Sequence, residues 1–383
     1  MRLPSVCFEE VRGSAGVEFI DLRSPREFVR DHIPGSRSHP LLDDQGRAAV
    51  GLLYHKDSPR AALDHGLDLV EKGLGSLLGG ILDREVSTLE WEEVFGALAR
   101  RLKGGATAIK VEPAAFPPSP ESLKVLSCWR GGMRSASVTA LLSLMGEGPV
   151  AVLKGGYKSY RAWVMARMVA IPHDLPLIVL RGPTGAGKTR ALAALEEALP
   201  GSTLDLEGLA QHRSSILGDI GMSPVSQPAF ESALAARLEE MDEPPWFIEG
   251  ESRKVGDSQI PSPLFEAMGK GAQVQLDAPL EWRAATLGRE YLSFPQARGE
   301  MAERLPFLEA RMGREWNGRL TRWLSDGKWR EVAETLLEHY YDPLYSRHDA
   351  GRLLTETLRS DHPGLVESLI SLREQGAAIA PTA

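Results

Sequence analysis

The sequence predicts an α/β protein made of two parallel-sheet modules, the second ending in a helical region. Three observations predict it. Short apolar runs (VEFIDLRS, LKVLS, PVAVL, LPLIVL, PWFIEG, AQVQLD) alternate with stretches whose apolar residues recur at helical spacing, the pattern of strand–helix–strand units. Twice, such a run leads into a glycine-rich loop and then a helix, at CWRGGMRS and at GPTGAGKT. The length of 383 residues suits two or three domains at roughly 100–200 residues each. The expected modules are 1–168 and 175–383, joined by ARMVAIPHDL, with the helical region over about 280–383.

Taken in order, VEFIDLRS (17–24) reads as a buried strand, and REFVRDHIPGS as a short helix with a Pro-Gly turn. Residues 59–103 read as helical, with Leu63, Leu67, Val70 and Leu74, then Trp91, Val94, Leu98 and Leu102 at helical spacing. EPAAFPPSPES (112–122) reads as a Pro-rich surface loop. LKVLS (123–127) is a strand, SASVTALLSLMG (135–146) a helix ended by glycine, and PVAVLKGGYKSYRAWV a strand, turn and helix. LPLIVL (175–180) opens the second module, with later strands at STLDL (202–206), PWFIEG (245–250) and AQVQLD (272–277). HYYDPLYSRH (339–348) reads as a helix end stopped by Pro343, and GAAIAPTA as a loose tail.

Composition narrows the function classes. Hydrophobic residues make up 43% and charged residues 25%, a globular balance that excludes disordered and collagen-like chains. No apolar run approaches a membrane span, and MRLPSVCFEEVRG lacks the apolar stretch of a signal peptide. Two cysteines, Cys7 and Cys128, are too few for a disulfide framework, and a reducing cytoplasm is the expected location. A net charge of −8 excludes a globally basic nucleic-acid binder but leaves room for a basic face. Lys124, Arg130, Arg134, Lys154, Lys158, Arg161 and Arg167 lie in one stretch with a single acid, Glu147. That stretch is either a solvated face or an anion site.

The motif inside it favours the anion site. Cys128 follows a strand and precedes a helix, where loop amides and the helix N-terminus favour negative charge, on a bound anion or on a thiolate. Trp129, Arg130, Gly131, Gly132 and Met133 form the loop. Both glycines let the backbone turn inward, Arg134 offers a planar fork to a tetrahedral oxyanion, and Ser135 can cap the helix. A lone cysteine is otherwise most often a small buried hydrophobe.

GPTGAGKT (182–189) is G-x-x-x-x-G-K-[ST] between a strand and a helix, the context this motif requires. Gly182, Gly185 and Gly187 shape a loop whose amides cradle a di- or triphosphate. Lys188 neutralises its charge, and Thr189 is placed to ligate Mg²⁺. Glu249 and Asp205, at strand ends, are candidates for the metal-side acid; an ordinary strand-end role is the alternative. There is no clear motif for adenine or guanine, so a bare diphosphate would suffice as ligand. The nine histidines show no metal-binding spacing, so no intrinsic metal centre is expected. Between 281 and 330, Trp282, Trp316, Trp323 and Trp329 interleave with basic residues including Arg311, Arg314, Arg319 and Arg322. The tryptophans read as core. The arginines are open between a solvated helix face and an RNA clamp.

IDLRSPREFVRDHIPGS, CWRGGMRS and LKGGYKSYRAW together resemble a rhodanese domain, whose cysteine carries sulfur as a persulfide or attacks an oxyanion. Many single-domain sulfurtransferases of that fold place four residues between cysteine and arginine. Here Trp129 to Met133 intervene, a longer loop that resembles the rhodanese-fold phosphatases and admits a larger tetrahedral anion. The first module is thus expected to be rhodanese-like and the second a P-loop NTPase-like domain. The order of DHIPGS, CWRGGMRS, LKGGYKSYR, GPTGAGKT, EGESRKVG and HYYDPLY resembles the bacterial tRNA 2-selenouridine synthase family over nearly the whole chain.

That resemblance implies a transferase acting on wobble uridine, position 34 in the anticodon stem-loop of certain tRNAs. It attaches a geranyl group from geranyl diphosphate to 2-thiouridine, then replaces the S-geranyl group by selenium from selenophosphate. The P-loop would hold the diphosphate with Mg²⁺, and the Cys128 loop selenophosphate. Cys128 either carries selenium or attacks phosphorus. Asp21 and Arg23 either orient the loop or form a structural pair. The expected partners are tRNA, contacted through Lys154, Lys158 and Arg161 and through the four arginines above, and an enzyme supplying selenophosphate; no membrane is expected. The alternatives are a sulfurtransferase coupled to an ATP-using kinase-like domain and a nucleotide-gated RNA-binding switch.

Overall fold

In a computed structural model of the chain, residues 1–104, 109–114, 122–349 and 353–375 are described. The chain divides into two compact units, Met1–Ala166 and Arg167–Ala383.

The first unit is organised by β1 (Arg2–Val6), β2 (Val17–Asp21), β3 (Arg37–Ser38), β4 (Lys110–Pro113), β5 (Leu123–Ser127) and β6 (Val150–Leu153). They form one parallel sheet in the order β3-β2-β5-β6-β1-β4. The central β5 and β6 are almost continuously apolar and buried, as strands covered on both faces must be. Helices Pro59–Leu82, Thr88–Lys103 and Met133–Leu144 supply Leu74, Leu78, Ile81, Leu98 and Leu141 to a core with Ile20 and Leu126. A second aromatic cluster joins Phe8 to Phe19, Tyr160 and Trp163.

Several local expectations change. The helical stretch 59–103 is interrupted at Asp83, which adopts φ 54°, before a capping box at Ser87 and Glu90 starts the second helix. β1 is a strand despite Pro4, which masks it in the sequence. Asp44–Lys56 is a helix capped by Asp43; it buries no residue, so its apolar periodicity is faint. The Pro-rich stretch from 112 begins as the end of edge strand β4, where proline is tolerated; residues 115–121 lie outside the described residues.

The second unit contains β7 (Leu177–Arg181), β8 (Thr203–Leu204), β9 (Trp246–Glu249), a small hairpin of β10 (Lys254–Val255) and β11 (Ser258–Gln259), β12 (Ala272–Asp277) and β13 (Glu356–Arg359). Its parallel sheet has the order β13-β12-β7-β9-β8. The stretch after 280 is therefore not wholly helical: β13 returns to the sheet edge, mostly exposed and lacking an apolar run. Helix Leu365–Gln375 follows, and its Leu369 and Leu372 join Ile178, Leu180 and Leu192 in the core. The tail 376–383 lies outside the described residues.

Helices Leu280–Tyr291, Ala297–Met312, Arg319–Ser325 and Trp329–Leu336 pack around Leu287, Met301, Leu305, Leu320 and Val332. Trp316, Trp323 and Trp329 lean on this core half-buried rather than inside it; Trp282 is also half-buried. Pro343 does not stop a helix. A π turn over Leu337–Tyr341 leads into helix Asp342–Asp349, and the proline falls in that helix's first turn, where its missing N–H costs least. Among the described residues, no helix is long and apolar enough to cross a membrane.

Candidate functional site

In the first unit, strand register gathers the site. Asp21 at the end of β2 pairs with Ser127 at the end of β5, and the Leu22 amide donates to Ser127 at 2.9 Å. Cys128 thus emerges from the carboxyl edge of a parallel sheet, where loops converge on ligands. The thiol is 3% exposed and its Sγ lies 3.2 Å from Ser135 Oγ. Gly132 is the N-cap of the following helix, so Ser135 is not its cap; its hydroxyl donates back to the Gly132 carbonyl at 3.2 Å.

The glycines divide differently from the expectation. Gly131 has φ +62°, and a Cβ there would stand 2.5 Å from the Leu153 carbonyl. Gly132 faces open space. The second indispensable glycine is Gly156 of LKGGY, at φ +60°, where a Cβ would collide with the Cys128 carbonyl. That approach lets the Tyr157 and Lys158 amides donate to the Cys128 and Trp129 carbonyls at 2.9 and 3.0 Å. Trp129, Arg130 and Met133 are exposed on the rim.

Arg134 is half-buried and donates to Glu27 at 3.2 Å. Burial alone would raise the Glu27 carboxyl; the Arg134 charge, the Ser24 amide and Arg47 outweigh it and hold it below its ordinary value. Glu27 thereby fixes one side of the guanidinium. Arg23 is 1% exposed and forked onto Asp21, with its shortest bond 2.6 Å. It donates to the Asp31 carbonyl at 2.7 Å and lies 3.8 Å from the Tyr157 ring centroid. Arg23 and Asp21 are thus a buried brace next to the loop. Tyr157 completes it by donating to the Asp31 carboxylate at 2.6 Å. Tyr157→Phe is expected to cost about 1.5–3 kcal/mol, the range for a bond to a charged group, read as a lower urea midpoint. An unchanged midpoint would show that the brace does not depend on this bond.

In the second unit, β7 ends in the phosphate loop. Gly182, Gly185 and Gly187 all have positive φ, and a Cβ at each would press on the Leu276 carbonyl, the Arg283 carbonyl and the Trp282 ring. Lys188 opens the helix Lys188–Ala198 and donates to the Gly182 carbonyl at 3.0 Å. Arg283 donates to the Thr184 carbonyl at 2.9 Å and forks onto Asp342, while the Tyr345 hydroxyl accepts from the Gly182 amide at 2.7 Å. HYYDPLY therefore braces the phosphate loop.

Asp205 is a helix cap, accepting from the Gly208 amide at 2.7 Å. Glu249, on β9 beside β7, is 1% exposed; one oxygen accepts from the Glu207 amide at 2.6 Å and the other has no hydrogen-bond partner among the described residues. Sequence reasoning missed Glu207, to which the Thr189 hydroxyl donates at 3.4 Å. Its only signal was the acid in LDLEG after a strand. Burial pushes the Glu207 carboxyl up to about 8, Glu251 adds to the shift, and Lys188 opposes it. Glu249 is raised too, by burial and then by Asp205, Glu207 and Glu251. A buried, unpartnered carboxylate oxygen among other acids, beside the Lys188–Thr189 turn, is the setting a divalent cation would relieve.

The Glu207 shift has a consequence for stability. Its ordinary value is 4.5. Between that value and about 8, the unfolded chain has lost a proton that the folded chain keeps, so stability falls as pH rises through this window. Glu207→Gln removes this contribution, and its urea midpoint should decline less between these limits than that of the parent. Equal declines would assign the dependence to other groups.

Of the basic candidates, Lys154 and Lys158 are exposed, and Arg161 is half-buried with a bond to Met165 Sδ at 3.2 Å. Arg311, Arg314, Arg319 and Arg322 are exposed.

Residues 175–304 match the family described as tRNA 2-selenouridine synthase AAA domain. Over the longer chain, the tRNA 2-selenouridine synthase of Shewanella piezotolerans is 30% identical across 85% of this chain and 87% of its own. That of Aeromonas salmonicida is 30% identical across 86% of each. That of Cupriavidus pinatubonensis is 28% identical across 95% of this chain and 96% of its own. Relatives 30% identical over 85% or more of both chains place the chain in the tRNA 2-selenouridine synthase family.

Proposed function

We propose that the chain converts 2-thiouridine at the wobble position of tRNA to 2-selenouridine in two steps, geranylation from geranyl diphosphate and then replacement of sulfur by selenium from selenophosphate. The observation that carries this reading is the pair of glycine-shaped anion loops, one in each unit, of which only the first bears a thiol.

In the first step the allylic C–O bond of geranyl diphosphate breaks as the tRNA sulfur bonds to carbon; diphosphate departs with the electron pair, and the base gives up its N3 proton to solvent. Lys188 and the loop amides stabilise the charge that develops on the leaving oxygen. Mg²⁺, if bound, would be held by Thr189 and Glu249 and would add further neutralisation there. Glu207, protonated near neutral pH, would leave the total charge of the acid group low until ligand binds.

The first unit, which we read as rhodanese-like, would hold selenophosphate, with Arg134 and the amides after Gly132 facing its oxygens. The five-residue interval between Cys128 and Arg134 leans toward attack on phosphorus. Cys128 Sγ would bond to phosphorus as the P–Se bond breaks, and selenide would leave with the electron pair, add to C2 of the base and expel geranylthiolate as the C2–S bond breaks. Water would then cleave the S–P bond to release phosphate.

Thiolated tRNA incubated with geranyl diphosphate, or with ATP alone, separates the readings when its nucleosides are examined by mass spectrometry. S-geranyl-2-thiouridine should form only with geranyl diphosphate, and selenouridine once selenophosphate is added. Modification supported by ATP alone would overturn the assignment of the phosphate loop.

A further inference from the structure

Arginines in this chain are commonly neutralised: Arg23, Arg37, Arg84, Arg237, Arg283 and Arg304 each meet a carboxylate. Arg311, Arg314, Arg319 and Arg322 form no ion pair among the described residues. Two of them lie against rings instead. The Arg319 guanidinium is 5.0 Å from the Trp316 centroid and 4.6 Å from that of Trp323. Arg311 is 4.4 Å from Phe307 and donates to the Tyr340 hydroxyl at 3.3 Å.

The support for this surface is rigid. Glu309, 1% exposed, accepts from the amides of Gly318 and Thr321 at 2.8 Å each, fixing the turn that presents Arg319 and Arg322. That carboxylate already satisfies the start of the helix, so an incoming anion is left to the guanidinium groups. Beside them lies a depression of about 370 Å³ lined by Asn317, Gly318, Arg319, Arg322 and Trp323. Like charges gathered without carboxylate partners repel one another, at a cost to folding. Such a cluster makes sense as a surface held ready for a polyanion, and the rings specify which kind: an acidic protein would use the charges and leave the indoles idle.

We propose that this face binds the single-stranded loop of tRNA, with an unpaired base stacking on the Trp316–Arg319–Trp323 array and flanking phosphates held by Arg314 and Arg322. Indole and guanidinium planes stack bases of any sequence, and these arginines supply the electrostatic attraction that a chain of net charge −8 lacks as a whole. The inference rests on the tRNA substrate proposed above.

A fluorescein-labelled anticodon stem-loop containing 2-thiouridine, titrated by anisotropy between about 50 and 200 mM salt, tests it. Arg319→Gln should raise Kd by about tenfold through weaker stacking. Arg314→Gln with Arg322→Gln, both at exposed sites, should weaken binding and flatten the log–log salt slope by about 0.7–0.9 for each phosphate no longer neutralised. A hairpin of equal length with a minimal loop should bind weakly. Parent-like Kd and slope in both variants, or equal affinity for the closed hairpin, would overturn the proposal while leaving tRNA as substrate. A parent protein that binds neither RNA would bring down both.

Discussion

Cys128→Ala should abolish selenouridine formation, a loss of more than about 10³-fold, while geranylation of 2-thiouridine stays within a small factor of the parent. The thiol lies at the end of β5 in the first unit, buried and bonded to Ser135, whereas the phosphate loop belongs to the second. A group that forms a covalent bond in one step has no atom to contribute to the other. Cys128→Ser is the companion variant. It keeps a hydroxyl near Ser135 and so preserves the loop, yet oxygen is a far poorer nucleophile than a thiolate at neutral pH. Both variants should therefore give the same split in the nucleoside spectrum: S-geranyl-2-thiouridine accumulates and selenouridine is missing. Equal loss of both products in Cys128→Ser would mean that the loop serves a single composite reaction.

The parts of the site legible in the sequence are those whose chemistry dictates backbone shape. A tight strand-to-helix loop needs residues at positive φ where backbone approaches closely, and Gly131, Gly182, Gly185 and Gly187 record that need in the letters themselves. The residues that escaped notice act across long sequence intervals. Glu27 reaches Arg134 over 107 positions, and Gly156 is required only because LKGGY folds back onto the Cys128 carbonyl. Glu207 looks like any acid after a strand until folding sets it against Thr189 and beside the buried Glu249. Two strands are hidden for another reason. β13 lies at the sheet edge, mostly exposed, and β1 contains Pro4, so neither shows the apolar run by which β6 and β7 declare themselves. Ser135 illustrates the limit of motif logic: a serine near a helix start suggests a cap, yet one turn inside the helix it bridges the thiol and the Gly132 carbonyl.

Lys188→Ala should produce the reverse split. The ammonium donates to the Gly182 carbonyl at 3.0 Å, and Lys188 is the first residue of the helix that follows the loop. In the proposed geranylation, negative charge would grow on the diphosphate oxygen as the allylic C–O bond lengthens, and a fixed cation there would act more strongly on the transition state than on bound substrate. Removing one such donor costs about 2.7–4 kcal/mol, or roughly 10²–10³ in rate. Geranylation should fall by that order, with kcat reduced more than KM is raised. Lys188→Arg should recover little of it, because the longer planar fork cannot reproduce the bond to Gly182 within a loop closed by Arg283 and Tyr345. Pre-geranylated tRNA bypasses the defect: with selenophosphate, Lys188→Ala should form selenouridine at close to the parent rate. If it fails on that substrate as well, the phosphate loop takes part in the second step, and the division of labour between the two glycine loops is wrong.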